Sequence, residues 1–176
     1  MINKAIIFAT KAHDGQFRKA TKTPYILHPL ECAVITASMT NDPEMIAAAL
    51  LHDTVEDCGV TVEQIKSEFS ERVAQFVASE TEDKSKTWAQ RKQATIDRLK
   101  DASKEECILV LADKLSNLRS IARDYKVLGE ELWNRFHEKR KEKIGWYYCS
   151  IGKELGILKE YEEYQEYMAL LEQVFS

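Results

Sequence analysis

The stretch Ala47-Ala48-Ala49-Leu50-Leu51 is apolar at every position and runs straight into His52-Asp53, with Glu56 and Asp57 close behind. A helix without a polar side belongs inside a protein. The chain must therefore bring four titratable groups to the edge of its own core. Crowding such groups there is costly unless a cation stands among them, and a divalent metal ion offsets the charge efficiently. The plain alternative is a helix that ends in a polar, solvated turn.

The rest of the chain reads as helix. Strict apolar–polar alternation is absent, and helix-period stretches follow one another. Six glycines and three prolines in 176 residues suit compact connections between helices. A first helix is predicted over 2–13, a polar loop over 14–24 and a second helix over 27–39. Asp42 caps a third helix that has Pro43 at its first position and reaches His52-Asp53. Thr61 to Gln64, Thr87 to Gln90 and Ser103 to Glu106 are capping boxes that open further helices. Ser70 caps another that ends near Glu80. After Ser103, Ile108, Leu111, Ala112, Leu115, Leu118 and Ala122 lie on one helical face. A long helix is predicted over 130–153, broken near Gly156, and a tail helix runs to about Gln173. The expected architecture is all-α, with residues 1–176 as one domain and the helices from about 130 packed onto it.

Composition excludes several function classes. The net charge of −4 argues against a general nucleic-acid binder. No apolar run approaches the length of a membrane span. The four cysteines, Cys32, Cys58, Cys107 and Cys149, form no C-x-x-C pair. They read as free thiols of a cytoplasmic protein, with Cys107 and Cys149 as small core residues. A homo-oligomer is compatible with all of this.

A metal needs ligands from more than one element. His28 opens the second helix, and Asp113 lies in the middle of an apolar one. A mid-helix aspartate beside a core face needs a partner. Taken alone, a salt bridge to Arg119, Lys114 or Arg18 accounts for it. Taken together, His28, His52, Asp53 and Asp113 form a mixed nitrogen and oxygen set that suits Mn, Fe or Zn. Only His13 and His137 remain among the histidines, so one ion is expected. His13 reads as a structural residue at a helix end and His137 as a surface residue. Glu56 and Asp57 are then free to orient a water or carry its proton. Asn117 follows Asp113 by one turn, and Arg18 and Lys19 in the first loop suit phosphate oxygens.

These residues sit in motifs. His13-Asp14-Gly15-Gln16-Phe17-Arg18-Lys19 and Pro24-Tyr25-Ile26-Leu27-His28-Pro29 resemble the opening of the hydrolase domain of RelA/SpoT proteins. Leu50-Leu51-His52-Asp53-Thr54-Val55-Glu56-Asp57 resembles its HD and ED motifs, and Leu111-Ala112-Asp113-Lys114-Leu115-Ser116-Asn117 its last metal-ligand motif. The order and rough spacing match over about 5–123. The chain is too short for the synthetase and regulatory domains of the long members, so it looks like a stand-alone small alarmone hydrolase.

The resemblance implies an HD-domain helical bundle with one Mn²⁺ between its helices. It implies removal of the 3′-diphosphate of ppGpp or pppGpp in the stringent response. His28, His52, Asp53 and Asp113 would be metal ligands, Glu56 and Asp57 catalytic carboxylates, and Arg18, Lys19 and Asn117 nucleotide contacts. The connection Ala20-Thr21-Lys22-Thr23 is longer than the corresponding one in long members, which weakens the transfer of Lys19. Two other readings stay open. One is another HD phosphohydrolase activity, on NADPH or a nucleoside phosphate. The other is a non-catalytic nucleotide-binding module.

Overall fold

The computed structural model describes residues 1–176 and is helical throughout. Its only β feature is an isolated antiparallel bridge between Phe17 and Pro24. The helices are α1 (Ile2–Ala12), α2 (Leu27–Met39), α3 (Pro43–Leu51), α4 (Thr54–Asp57), α5 (Val62–Glu68), α6 (Glu71–Glu80), α7 (Trp88–Leu99), α8 (Lys104–Leu128), α9 (Lys141–Glu154) and α10 (Glu162–Phe175). The expected all-α class is correct. No helix is long and apolar enough to cross a membrane.

The chain divides into two compact units. The first comprises Met1–Glu82 and Ile108–Asp113, the second Asp83–Cys107 and Lys114–Ser176. In the first unit, α3 is the centre, packed by α1, α2 and α6. Every residue from Met45 to Leu51 is buried, as its all-round apolar character requires. Asp42 caps α3 by accepting from the Glu44 amide at 2.9 Å, and Pro43 occupies the first turn. All three predicted capping boxes form, and Ser70 caps α6.

The starts of α3 and α6 are tied together. Arg72 donates to Asp42 Oδ2 at 2.6 Å and to Glu44 Oε2 at 2.9 Å, while Ser70 Oγ donates to Glu44 Oε1 at 2.6 Å. The guanidinium also lies over the Phe76 ring, 5.1 Å from its centroid.

In the second unit, α9 packs against α7 and α10. Gly152 allows the close approach: a Cβ there would meet Met168, Tyr167 and Leu171 at 3.1–3.3 Å. Tyr167 donates to the Tyr148 carbonyl at 2.8 Å. The predicted helix over 130–153 is corrected here. Helix α8 runs on to Leu128, and Gly129 turns the chain at φ +55°. A 3-10 turn covers Gly129–Arg135, Phe136 is extended, and α9 begins only at Lys141. Glu138 takes the Arg140 amide and guanidinium into local hydrogen bonds, which compete with helix propagation. Cys149 is exposed rather than a core residue, whereas Cys107 is buried.

The Arg72 clamp has a pH signature. Hydrogen bonds from Ser70 and Arg72 hold the Glu44 carboxyl below its ordinary value. This contribution is complete above an unfolded carboxylate pKa of about 4 and is lost as pH falls through the folded value. Arg72→Ala is expected to cost about 0.5–1 kcal/mol near neutral pH. Urea unfolding of both proteins should show the gap closing at about pH 3.

Candidate metal centre

Four side chains of the first unit meet at one point. His28 lies in the first turn of α2, where the missing N–H of Pro29 needs no partner. His52 is the C-cap of α3. Asp53 follows as the N-cap of α4, yet its side chain makes no capping bond. Aspartate is among the best capping residues, so its diversion is informative. Its Oδ2 instead accepts the Tyr25 hydroxyl at 2.7 Å. Asp113 reaches the same point from α8 and is buried.

The distances are short. His28 Nε2 lies 3.1 Å from Asp113 Oδ1 and 3.6 Å from Asp53 Oδ2. His52 Nε2 lies 3.0 Å from Asp53 Oδ2 and 3.9 Å from Asp113 Oδ1. Donors sharing one ion at bond lengths of about 2.0–2.2 Å stand about 2.8–3.1 Å apart when octahedral neighbours and about 3.3–3.6 Å apart when tetrahedral. Three of the four spacings fall within these ranges, and the His52–Asp113 distance is slightly longer. Of the ion-pair partners considered for Asp113, Arg119 makes a two-pronged pair with Glu166.

His52 supplies the sharpest test of fit. The Ala49 carbonyl lies 2.8 Å from Nδ1, and a carbonyl can only accept, so Nδ1 carries the proton. That leaves Nε2 facing the carboxylates. Nε2 is buried and lies 3.0 Å from Asp53 Oδ2, an ion-pair contact that falls short of a well-aligned hydrogen bond. A histidine anchored through one nitrogen to a backbone carbonyl, with the other aimed at a cluster of donors, is the usual posture of a metal ligand. His28, His52, Asp53 and Asp113 therefore fit a divalent ion.

Electrostatics agree. Burial opposes charge on His52, but Asp53 and Asp113 outweigh it and push its pKa up to about 10. Burial alone would raise Asp53, yet the two imidazoles hold it well below the usual carboxylate range. His28 moves the other way: burial pulls it down despite Asp113 and Asp53. Two imidazoles with centroids 5.1 Å apart do not both charge. The cluster thus holds one proton on His52 where a metal ion would otherwise balance the carboxylates.

The other expected site residues fall differently. Glu56 and Asp57 both lie on α4. Glu56 is half-buried and accepts weakly from the Glu82 amide at 3.4 Å. Burial raises its carboxyl, and the charges of Asp57, Glu82 and Asp53 reinforce the shift. The Arg18 guanidinium lies over Tyr25, 5.5 Å from its centroid, and so stands behind the Asp53 contact. The turn after it closes with the Arg18 amide donating to the Thr23 carbonyl at 2.8 Å. Lys19 sits exposed on that turn. Asn117 is one turn beyond Asp113 on α8, in the second unit. His13 is buried at the end of α1, as expected, with Nδ1 2.8 Å from Gln16 Oε1.

Two participants were not foreseen. Tyr25 positions Asp53, and Cys32 places its thiol 3.6 Å from His28 Nδ1. Cys32 follows His28 by four residues, a spacing that puts both on one helix face.

The HD domain model matches residues 5–140. The chain belongs to the HD-domain family. Within that family it is similar to the guanosine-3′,5′-bis(diphosphate) 3′-pyrophosphohydrolase MESH1 of Danio rerio. The two are 40% identical over 123 residues, covering 68% of each chain. The crystal structure of lmo0812 from Listeria monocytogenes is 33% identical, with TM-score 0.78 over 84% of this chain and 98% of that one. The structure of a metazoan ortholog of SpoT that hydrolyses ppGpp is 25% identical, with TM-score 0.82 over 98% and 94%. The HD-domain match spans the whole first unit except its first four residues, and so includes all four converging side chains.

An ion entering this HD domain must displace the His52 proton. Binding of a divalent ion near neutral pH is expected to release about one proton. Affinity should then rise about tenfold per pH unit up to the His52 pKa. Calorimetry in buffers of different ionisation enthalpy checks this; heats independent of buffer would contradict it.

Proposed function

We propose that this protein is a metal-dependent (p)ppGpp 3′-pyrophosphohydrolase. It would convert ppGpp or pppGpp to GDP or GTP and pyrophosphate, with one Mn²⁺ held by His28, His52, Asp53 and Asp113. The observation that carries the reading is the convergence of His28 Nε2 and His52 Nε2 on the Asp53 and Asp113 carboxylates at 3.0–3.9 Å. The relatives' names supply the substrate class. The four free thiols accord with action in the cytoplasm.

When bound, a divalent ion acidifies water and draws charge from phosphate oxygens. The protein's own groups do the rest. Tyr25 holds Asp53 in place through its hydroxyl, and Ala49 fixes the His52 ring. Glu56, whose carboxyl is raised by burial and neighbouring carboxylates, is the better placed of the two to exchange a proton. Asp57 beside it helps keep that carboxyl raised. Arg18, steadied on the Tyr25 face, is the cation best suited to neutralise charge building on the 3′-diphosphate. Lys19 and Asn117 complete the proposed nucleotide contacts.

The test is turnover of ppGpp by the purified chain loaded with Mn²⁺, with products identified. GDP and pyrophosphate are expected. An intact ppGpp pool alongside cleavage of NADPH or a simple nucleotide would overturn the assignment. Asp53→Ala should abolish both turnover and metal retention. Glu56→Gln should lower kcat about a hundredfold or more while leaving metal content unchanged.

A further inference from the structure

The first unit holds a second group of polar side chains, beside the metal centre, to which the proposed reaction gives no role. Cys58 follows Glu56 and Asp57 as the C-cap of α4 and is partly open to solvent. His13 caps the end of α1 and is 2% exposed. Its Nδ1 lies 3.2 Å from Cys58 Sγ and 2.8 Å from Gln16 Oε1. Gln16 Nε2 lies 3.2 Å from the Asp57 carbonyl and 3.7 Å from the same sulfur.

The hydrogens of this group follow from one fixed point. The Asp57 carbonyl can only accept, so the Gln16 nitrogen faces it and Gln16 Oε1 faces His13. Oε1 can likewise only accept, so His13 Nδ1 carries a proton. The sulfur therefore lies beside two N–H groups, one on the imidazole and one on the amide, and is the acceptor toward both. Hydrogen bonds to a charged form favour that form, and the thiolate is the nucleophilic form of cysteine. The Asp57 carboxylate on the same turn is exposed, where water screens its opposing charge. Cys32 also stands beside an imidazole but is buried, and Cys149 is exposed on α9. Cys58 alone joins an accessible sulfur to a neighbouring imidazole.

We propose that Cys58 is a reactive thiol whose oxidation by a hydroperoxide switches the metal centre off. The sulfur attacks one oxygen of hydrogen peroxide. The S–O bond forms, the O–O bond breaks, and hydroxide leaves and takes a proton to become water. Sulfur is oxidised by two electrons to a sulfenic acid, and the peroxide is reduced. An oxygen added to this sulfur alters its contacts with both His13 and Gln16. The His13 ring lies against Tyr25, with centroids 4.9 Å apart, and the Tyr25 hydroxyl holds Asp53. Gln16 holds the Asp57 carbonyl, one residue from Glu56. One added atom thus reaches a metal donor by one route and the carboxylate pair by another. The effect on turnover rests on the function proposed above, whereas the reactivity of the sulfur does not.

The experiment exposes the full chain, loaded with Mn²⁺, to hydrogen peroxide with dimedone present to trap sulfenic acid. Peptide mass spectrometry follows each cysteine. Cys58 is expected to be labelled about tenfold or more faster than Cys149. Gln16→Leu, which removes one N–H donor, should slow Cys58 labelling about threefold or more. In a parallel arm without dimedone, ppGpp turnover should fall in step with Cys58 oxidation and return with dithiothreitol. Mn²⁺ affinity should fall about tenfold in the oxidised protein. Cys58→Ser should match the unaltered protein before treatment and keep both turnover and Mn²⁺ affinity through it. Equal labelling of Cys58 and Cys149, or no slowing in Gln16→Leu, would overturn the reactive thiol. Equal losses in Cys58→Ser and the unaltered protein would overturn the switch. Absence of ppGpp turnover before treatment would overturn the functional reading instead, and labelling rates and Mn²⁺ affinity would still decide this one.

Discussion

The structure turns on the burial of two imidazoles and two carboxylates around one point. Buried charges of this kind are tolerated only when paired or coordinated. Here Asp53 and Asp113 raise the His52 pKa to about 10 against the effect of burial, so the carboxylates are balanced by a proton on that ring.

Local structure delivers each donor to it. Helix α3 is buried on every side, so its end cannot move without disturbing the core. The chain breaks at His52-Asp53, with one residue capping α3 and the next opening α4. Neither spends its side chain on the following helix: His52 fastens to Ala49 and Asp53 to Tyr25. Asp113 arrives from α8 in the short stretch of that helix that belongs to the first unit. A mutation that loosens Tyr25 or the end of α3 would therefore act on the centre without touching a donor atom.

Much of this was legible in the sequence because the signals are local. Asp42, Thr61, Ser70, Thr87 and Ser103 cap the helices they were expected to cap, since a capping bond spans only two or three residues. The His52-Asp53 pair was readable because it closes an apolar helix. The boundary after Leu128 was not, because apolar periodicity continues through Trp133 to Ile144 while Gly129 and the Glu138–Arg140 bonds interrupt the backbone. Asp113 was ambiguous alone, because only the fold brings its carboxylate within 3.1 Å of His28 Nε2. Cys32 was passed over because a single cysteine in a helix usually packs as a small apolar residue. Its four-residue distance from His28 was the available clue.

The most direct test of the central claim is anomalous diffraction from crystals grown with a divalent transition metal. The account predicts one strong peak within bonding distance of His28 Nε2, His52 Nε2, Asp53 and Asp113. No peak at that point, or a peak elsewhere with His52 still facing Asp53 across an unfilled contact, would contradict it.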